Sequence, residues 1–188
     1  RRPCKVVAAN RKEKVNELIR YGWMGCLLLC TGLVRAQKRI VVDAKGKGHF
    51  TTIQGAVNSL SDSAATARII FIKKGIYKEK LYIGKHNIVF EGEDRAATII
   101  TAAIARDEWR CEHNDDWGVA TMNVSANDIT LKNLTITNSY GFDFLEPRTV
   151  HCPDDTLNKQ KKITKDGHQM ALRTMHCTRL KAINCHFK

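Results

Sequence analysis

The segment N-D-I-T-L-K-N-L-T-I-T-N at residues 127–138 decides the fold, because its apolar spacing recurs later in the chain. Leu131-x-x-Leu134-x-Ile136 has the same pattern as Leu180-x-x-Ile183-x-Cys185, which lies 49 residues further on. Short strands that repeat with asparagine in the bends between them predict a parallel β-helix. One turn of such a coil cannot bury its inward side chains alone, and stacking of turns makes a continuous core.

Similar short runs, bounded by Asn, Gly and Asp, fill the chain on both sides of this segment. The predicted strands are Ile40–Asp43, Ile69–Ile72, Leu81–Ile83, Ile88–Phe90, Thr98–Ile100, Ala120–Val124, Ile129–Leu131, Leu134–Ile136 and Leu180–Phe187, with a turn at Gly75. One stretch differs, because its apolar residues at positions 50, 53, 56, 57 and 60 have helical spacing. We predict a helix over 51–60, begun by Thr51 or Thr52, that caps the N-terminal end of the coil. A β-sandwich is the alternative fold, since regular short strands also suit that class.

Two polar, irregular stretches predict long loops on one side of the coil, where solenoid proteins place their binding surfaces. They run from Asp107 to Trp117 and from Tyr140 to Gly167. The adjacent Asp115 and Asp116 are candidate calcium ligands, but calcium takes six or more oxygen ligands and an acidic pair alone is usually just solvated. We therefore expect no metal site.

The first 37 residues predict a leader with a secretory signal peptide. A basic stretch precedes the apolar run W-M-G-C-L-L-L-C-T-G-L-V at residues 23–34, and Val34 and Ala36 suit a signal peptidase cut after Ala36. The run is too short to span a bilayer, so no membrane anchor is expected after cleavage. The leader carries half of the net charge of +12, with eight Lys or Arg and two Asp or Glu. The basic excess in residues 38–188 suits an acidic polymer, although surface lysines without a binding role are the commoner explanation. No motif for binding nucleic acid is present.

The cysteines divide in the same way as the charge. Four of the seven follow the leader, and an even number in an exported protein permits disulfides. Cys111–Cys152 is the pairing to test first, because both cysteines flank strand-poor stretches. Cys177 and Cys185 fall at strand positions and are read as small apolar residues. His-Cys neighbours on a strand point to opposite faces, and without a C-x-x-C pattern we expect no zinc site.

Three further segments, with the segment 127–138 between the second and the third, resemble the pectinesterase family. Residues 43–57 (D-A-K-G-K-G-H-F-T-T-I-Q-G-A-V) are similar to the family's opening strand, glycine turn and helix. Residues 71–79 (F-I-K-K-G-I-Y-K-E) resemble its G-x-Y-x-E signature, and residues 168–173 (H-Q-M-A-L-R) its Q-A-V-A-L-R. The resemblance implies an all-β fold, a right-handed parallel β-helix with the capping helix, here incomplete at the C-terminus. Residues 38–188 would form that partial domain.

The resemblance implies a carbohydrate esterase that hydrolyses the methyl esters of galacturonate in pectin. One aspartate attacks, a second acts as acid and base, glutamines stabilise the oxyanion, and no cofactor is needed. Gln169 matches the first glutamine, a contact for the oxyanion and the substrate, with a purely structural turn residue as the alternative. The aspartates and the arginine that holds the nucleophile are expected beyond Lys188. The partner would be methyl-esterified pectin (homogalacturonan), the location secreted or periplasmic, and the complete enzyme monomeric.

Some residues depart from the family pattern. Asp154-Asp-Thr-Leu157 resembles the family's Q-D-T-L motif but precedes Gln169 instead of following it, so we read it as a coincidence. The stretch from Tyr140 to Gly167 is longer than expected, and Asp116-Trp117 stands where many members have a Thr-Phe pair that touches substrate. Two alternatives stay open: a non-catalytic β-helix module that binds acidic polysaccharide, and a polysaccharide lyase, which would need an acidic calcium cluster.

Overall fold

The computed structural model describes residues 39–62, 64–153, 160–164 and 167–188. The predicted signal peptide and the segment Asp154–Leu157 lie outside these residues. The described chain winds through three parallel sheets, which we call the first, second and third, and each turn adds one strand to each sheet. This architecture confirms the predicted parallel β-helix.

The first sheet has five strands: β1 (Arg39–Val42), β2 (Arg68–Ile72), β5 (Ile88–Gly92), β8 (Ile129–Lys132) and β13 (Leu180–Ile183). The second has four: β3 (Gly75–Lys78), β6 (Thr98–Ala102), β9 (Thr135–Asn138) and β14 (His186–Phe187). The third has three: β4 (Leu81–Ile83), β7 (Ala120–Val124) and β12 (Met170–Thr174). All pairs within these sheets are parallel, which excludes the antiparallel β-sandwich. The right-handed winding remains a prediction, supported by the sense that almost all parallel crossovers take.

The core consists of rows of like side chains that stack from turn to turn. In the first sheet Ile70, Phe90 and Leu131 occupy one register position and are fully buried. The second sheet contributes a row with Ile100 and Ile136. Each row buries apolar side chains against the turns before and after it, which is why no turn is stable alone.

The capping helix α1 (Ile53–Asn58) is confirmed, although it is shorter than predicted. Thr52 caps it with Oγ1, which accepts from the Gly55 N–H. Glu79 adds a second cap from the next turn of the coil: its two carboxylate oxygens accept from the N–H groups of Ile53 and Gln54 at 2.9 and 3.0 Å. A carboxylate at a helix N-terminus is stabilising because it binds the N–H groups that have no partner within the helix.

The predicted repeat of 49 residues is wrong by two. Leu180 pairs with Ile129 and Ala182 with Leu131, so the true repeat is 51 residues. Asn133 and Asn184, both with positive φ, form equivalent bends, and Asn184 Nδ2 donates to Asn133 Oδ1 at 2.8 Å. A shift of two residues keeps every side chain on the same face of a strand, so apolar spacing alone cannot detect it.

The structure also adds elements to the predicted set. Gly75 begins strand β3 where a turn was predicted, and the run Leu180–Phe187 divides at Asn184 into two strands. The predicted loop Asp107–Trp117 begins inside the one-turn helix α2 (Arg106–Trp109). The stretch Tyr140–Gly167 holds the one-turn helix α3 (Tyr140–Asp143) and an antiparallel hairpin of β10 (Arg148–His151) and β11 (Gln160–Ile163).

We call residues 103–119 the first insertion and residues 139–169 the second insertion, because they interrupt the regular coil on its way into β7 and β12. A disulfide between Cys111 and Cys152 joins them and confirms the pairing proposed from the sequence. Arg148 pairs with Glu108, and Lys161 with Asp107 at 3.4 Å, so ion pairs reinforce the same junction. Cys177 is buried in the core, and Cys185 packs against it, as expected of small apolar residues. In the described part of the chain no helix is long and apolar enough to cross a membrane.

Candidate active site

The third sheet and the two insertions form the candidate site. Tyr82, Asn123 and Arg173 share one register row across β4, β7 and β12. Trp117 from the first insertion packs its ring against Tyr82, with centroids 5.9 Å apart. The outer face of this sheet is therefore lined by aromatic and polar side chains, and both insertions lead directly into its strands β7 and β12.

The first insertion approaches this face closely because Gly118 has no side chain. A Cβ at that position would lie 2.2 Å from Trp109 Cη2 and 2.6 Å from the Tyr82 hydroxyl. The rings of Trp109 and Tyr82, from different turns, thus both lie close to Gly118. Any larger residue at position 118 would push the insertion away from the sheet.

Gln169 lies directly before β12 and is half-buried. Its Oε1 accepts from the Gly141 N–H in α3 at 2.9 Å. That bond assigns Oε1 as the acceptor end of the amide, which faces α3, and Nε2 as its donor end. His168 is the residue before Gln169. Its backbone carbonyl accepts from the Arg106 N–H at 2.9 Å, which connects this segment to the first insertion.

Asn138 connects the same three segments from beneath. Its Oδ1 accepts from the N–H groups of Ile104 and Tyr140, and its Nδ2 donates to the carbonyls of Ile104 and Met170, at distances from 2.8 to 3.2 Å. The side chain is almost completely buried. One asparagine at the end of β9 therefore positions the start of both insertions and the residue that follows Gln169. The sequence contains Asn138 in its key segment, but only the structure reveals this role.

Asp116 forms the centre of a charged cluster in the first insertion. Arg106 pairs with its carboxylate at 3.0 Å, and Arg173 donates to its backbone carbonyl. The hydrogen bond from Arg106 is the main reason why the pKa of Asp116 lies below its usual value. Asp116 therefore stays ionised near neutral pH, so it can hold arginines in place but cannot donate a proton as a general acid.

Four other carboxylates of the insertions also have partners. Asp115 accepts from the Trp117 N–H at 2.6 Å, and Asp143 accepts from the Ser139 hydroxyl at 2.6 Å. Glu108 and Asp107 form the ion pairs with the second insertion described above. We find no reason to assign any of these groups as a nucleophile or a proton donor.

The structure gives no support to a metal-dependent reading. Asp115 and Asp116 bind protein groups, and within residues 39–62, 64–153, 160–164 and 167–188 no three His, Cys, Asp or Glu side chains are grouped to hold an ion. The lyase alternative required an acidic calcium cluster. The described residues do not supply one.

Comparisons with known proteins agree with this architecture. A family model described as pectinesterase matches residues 39–183. Pectinesterase A of Dickeya chrysanthemi is 35% identical over 96 residues, which cover 50% of this chain and 26% of that protein. The chain thus spans about a quarter of the length of this relative.

Solved structures give the same result. Pectin methylesterase PemA from Erwinia chrysanthemi is 28% identical, with a TM-score of 0.58 over 78% of this chain and 42% of that chain. A pectin methylesterase in complex with hexasaccharide VII is 29% identical, with a TM-score of 0.58 and the same coverage of 78% and 42%.

Proposed function

The chain belongs to the pectinesterase family, and we propose that it is part of a pectin methylesterase that hydrolyses the methyl esters of galacturonate units in pectin. The observation that carries the proposal is the orientation of Gln169 beside a face lined by aromatic side chains. The substrate assignment is supported by a similar solved enzyme that was determined in complex with a hexasaccharide.

Gln169 acts as a donor to the oxyanion in this proposal. Oε1 accepts from Gly141, and Nε2 is the donor end of the amide, the end that would polarise an ester carbonyl in this proposal. A donor held in place before the reaction stabilises the negative charge that develops in the transition state, and removal of one such donor typically costs a factor of about 100 to 1,000 in rate.

The reaction needs two further carboxyl groups, which we propose lie beyond Lys188 in a longer protein. An aspartate attacks the ester carbonyl, and the covalent acyl-enzyme forms as methanol leaves with a proton from the second aspartic acid. Water, deprotonated by that second group, then hydrolyses the acyl-enzyme. Four carboxylates of the first insertion are already bound to arginine, lysine or N–H partners, which supports this division: Asp107, Glu108, Asp115 and Asp116.

The proposal extends to the location and the rest of the substrate contact. Residues 1–37 would form a leader that exports the protein, so that the partial domain from residue 38 onward meets pectin outside the cell. Phe142, next to Gly141, exposes 69% of its surface and would offer a ring for sugar contact beside Gln169. No cofactor is invoked, because ester hydrolysis by two carboxyl groups needs none.

The direct test is methanol release from methyl-esterified pectin by a chain extended past Lys188. The extended chain should release methanol, and Gln169→Ala should reduce kcat by a factor of about 100, while His168→Ala, at the exposed neighbouring position, should retain activity. The 188-residue chain alone should release none. Activity in the short chain would contradict the placement of the aspartates.

Two other outcomes would each replace the proposal. If the extended chain binds pectin and releases no methanol, the protein is a non-catalytic module that binds acidic polysaccharide. If it produces unsaturated sugar ends without methanol, it is a lyase. Equal activity of Gln169→Ala and the unchanged protein would return Gln169 to a purely structural role.

A further inference from the structure

A cavity of about 270 Å³ lies against the first insertion. Its lining combines the start of β4 with residues of both insertions, among them Lys80, Glu108, Trp109, His113, Val150 and His151. The volume is just below the usual range of ligand pockets, about 300–1,000 Å³. It therefore suits one ring-sized group and not an extended ligand.

Lys80 is the unusual member of this lining. The side chain is half-buried, and its ammonium group lies 3.4 Å from the centre of the Trp109 ring and 5.4 Å from that of Tyr82. No described carboxylate lies within ion-pair distance, whereas the lysines at positions 73, 85, 132 and 161 each pair with one. Burial lowers the pKa of Lys80 to about 8, so this cation lacks the stabilisation that an anion would give.

Two carboxylates near Lys80 in the sequence or in the cavity lining have partners elsewhere. Glu108 pairs with Arg148, and Glu79, just before Lys80, binds the N-terminus of α1. His113 stacks on the far face of Trp109 and contacts the Trp109 carbonyl, which holds the ring against Lys80. Glu112 and His151 complete the set at the cavity wall. The aromatic contacts thus hold the cation in place. Binding of a ligand to it would cost little conformational entropy, because the side chain is already ordered.

The position of Lys80 relates it to Gln169. Lys80 precedes Leu81, which pairs with Met122, and Met122 pairs with Leu172. Lys80 is therefore in the row of Ala171, two strand spacings away, or about 10 Å across the sheet. Gln169 lies two residues before Ala171, so its backbone is roughly 12 Å from that of Lys80. A short oligosaccharide with one unit at Gln169 can span that distance.

We propose that the Lys80 cavity is a binding site for a carboxylate, and that its ligand is a free, de-esterified galacturonate unit of the polymer whose methyl ester lies at Gln169. The identity of the ligand rests on the proposed function, whereas the anion site rests on the geometry of Lys80. The cavity would favour pectin that already carries free acid groups close to the ester under attack.

The test compares binding of free-acid and methyl-esterified galacturonate oligomers to the full chain by titration calorimetry at pH 6.5. The unchanged protein should prefer the acid form. Lys80→Met keeps the apolar stem against Trp109 and removes the charge, so it should weaken binding of the acid form roughly tenfold and leave the ester unchanged. Lys80→Arg should retain the preference. Lys78→Met, at an exposed position on β3, is the matched control and should change neither affinity.

The pH dependence gives a second readout. Burial lowers the pKa of Lys80 to about 8, and a bound carboxylate would raise it again. The preference for the acid form should therefore be full at pH 6.5 and fall as the pH rises beyond about 8, because the ammonium of the free protein loses its proton. Lys80→Met should show no such decline. Tryptophan fluorescence confirms that each variant keeps Trp109 in its native environment.

Three results separate this inference from the proposed function. Equal affinity of the unchanged protein for both oligomers overturns the Lys80 site and leaves the esterase proposal intact. The Lys80 site is also overturned if Lys80→Met still prefers the acid form, or if Lys78→Met loses as much affinity for the acid form as Lys80→Met does. Neither result affects the esterase proposal. Binding of neither oligomer contradicts both proposals.

Discussion

The coil and the two insertions are held together in different ways. In the coil, Ile70, Phe90 and Leu131 repeat one environment turn after turn, and the loss of one contact affects the neighbours above and below. In the insertions, the contacts do not repeat from turn to turn. Examples are the disulfide, the Arg148–Glu108 ion pair and the asparagine that connects three segments. The coil is stabilised by apolar packing that repeats in every turn. The insertions keep their shape through individual cross-links and polar contacts between residues far apart in sequence.

This difference explains where function can vary in such a protein. The coil tolerates little change because every row is continuous, whereas an insertion can be exchanged without disturbing the turns beneath it. Specific substitutions should separate the two regions, and their effects should decrease from the coil core to the coil surface.

The largest effect is expected at the centre of the coil. Leu131→Ala should lower the free energy of unfolding by about 4 kcal/mol, because it opens a cavity between two turns of the fully buried row. Thr130→Ala, one residue earlier on the outer face of the same strand, should cost less than about 1 kcal/mol. Urea unfolding followed by circular dichroism measures both. Equal costs would mean that the stacked rows do not dominate stability.

A smaller loss is expected from the link between the insertions. Replacement of both Cys111 and Cys152 by serine opens a loop of 41 residues and should lower the free energy of unfolding by about 3 kcal/mol. Cys185→Ser, at a cysteine that forms no disulfide, is the control and should cost under about 1 kcal/mol. Hydrogen exchange should show faster exchange within residues 103–119 and 139–151, with the coil amides unchanged. Uniform acceleration over the whole chain would indicate that the insertions also support the coil.

The junction between the regions should be sensitive to Asn138. Asn138→Ala leaves buried N–H and C=O groups at Ile104, Tyr140 and Met170 without partners and should cost about 2 kcal/mol. Asn127 offers the matched comparison, since its Oδ1 accepts from Thr178 in an exposed bend, and Asn127→Ala should cost about half as much. Thermal unfolding measures the difference. A smaller cost at Asn138 than at Asn127 would refute its role as the junction.

The smallest effect is expected on the outer face of the coil. Glu91 lies between Arg39 and Lys132, at 3.0 and 2.9 Å, and its hydrogen bond with Lys132 is the main cause of its lowered pKa. Glu91→Gln should cost about 0.5 kcal/mol at pH 7, since such pairs are screened by solvent. A lowered folded-state pKa stabilises above the unfolded value of 4.5 and loses its effect as the pH falls through the lower folded value. The difference between the two proteins should therefore shrink as the pH falls below 4.5, and a difference that grew in acid would be inconsistent with this ion pair.

The comparison also shows what sequence can and cannot predict. Leu81–Ile83 and Ala120–Val124 are predicted with their observed bounds, because alternation and short runs follow directly from the pleat of a strand. The register was missed by two residues, since a shift of two preserves that alternation and only the equivalence of Asn133 and Asn184 reveals it.

The site was less accessible from sequence for a physical reason. Gln169 could be proposed from its motif, but its bond to Gly141 depends on how α3 folds back over β12. The hairpin of β10 and β11 was read as loop because its strands are polar and pack little core. The confinement of Lys80 depends on Trp109 and His113 from another turn, which no local pattern encodes.

The double cap on α1 has a consequence for how such chains are recognised. In the stretch G-I-Y-K-E at residues 75–79, Tyr77 is buried and its hydroxyl donates to the Lys73 carbonyl, while Glu79 clasps the first N–H groups of α1. Each of these residues closes the first turn of the coil, and none of them reaches Gln169 in the contacts described. A chain of this fold without any esterase activity would still need these contacts to close its first turn. A sequence search for G-x-Y-x-E therefore identifies chains that can close the first turn of this coil. Active esterases have to be recognised by residues elsewhere in the chain.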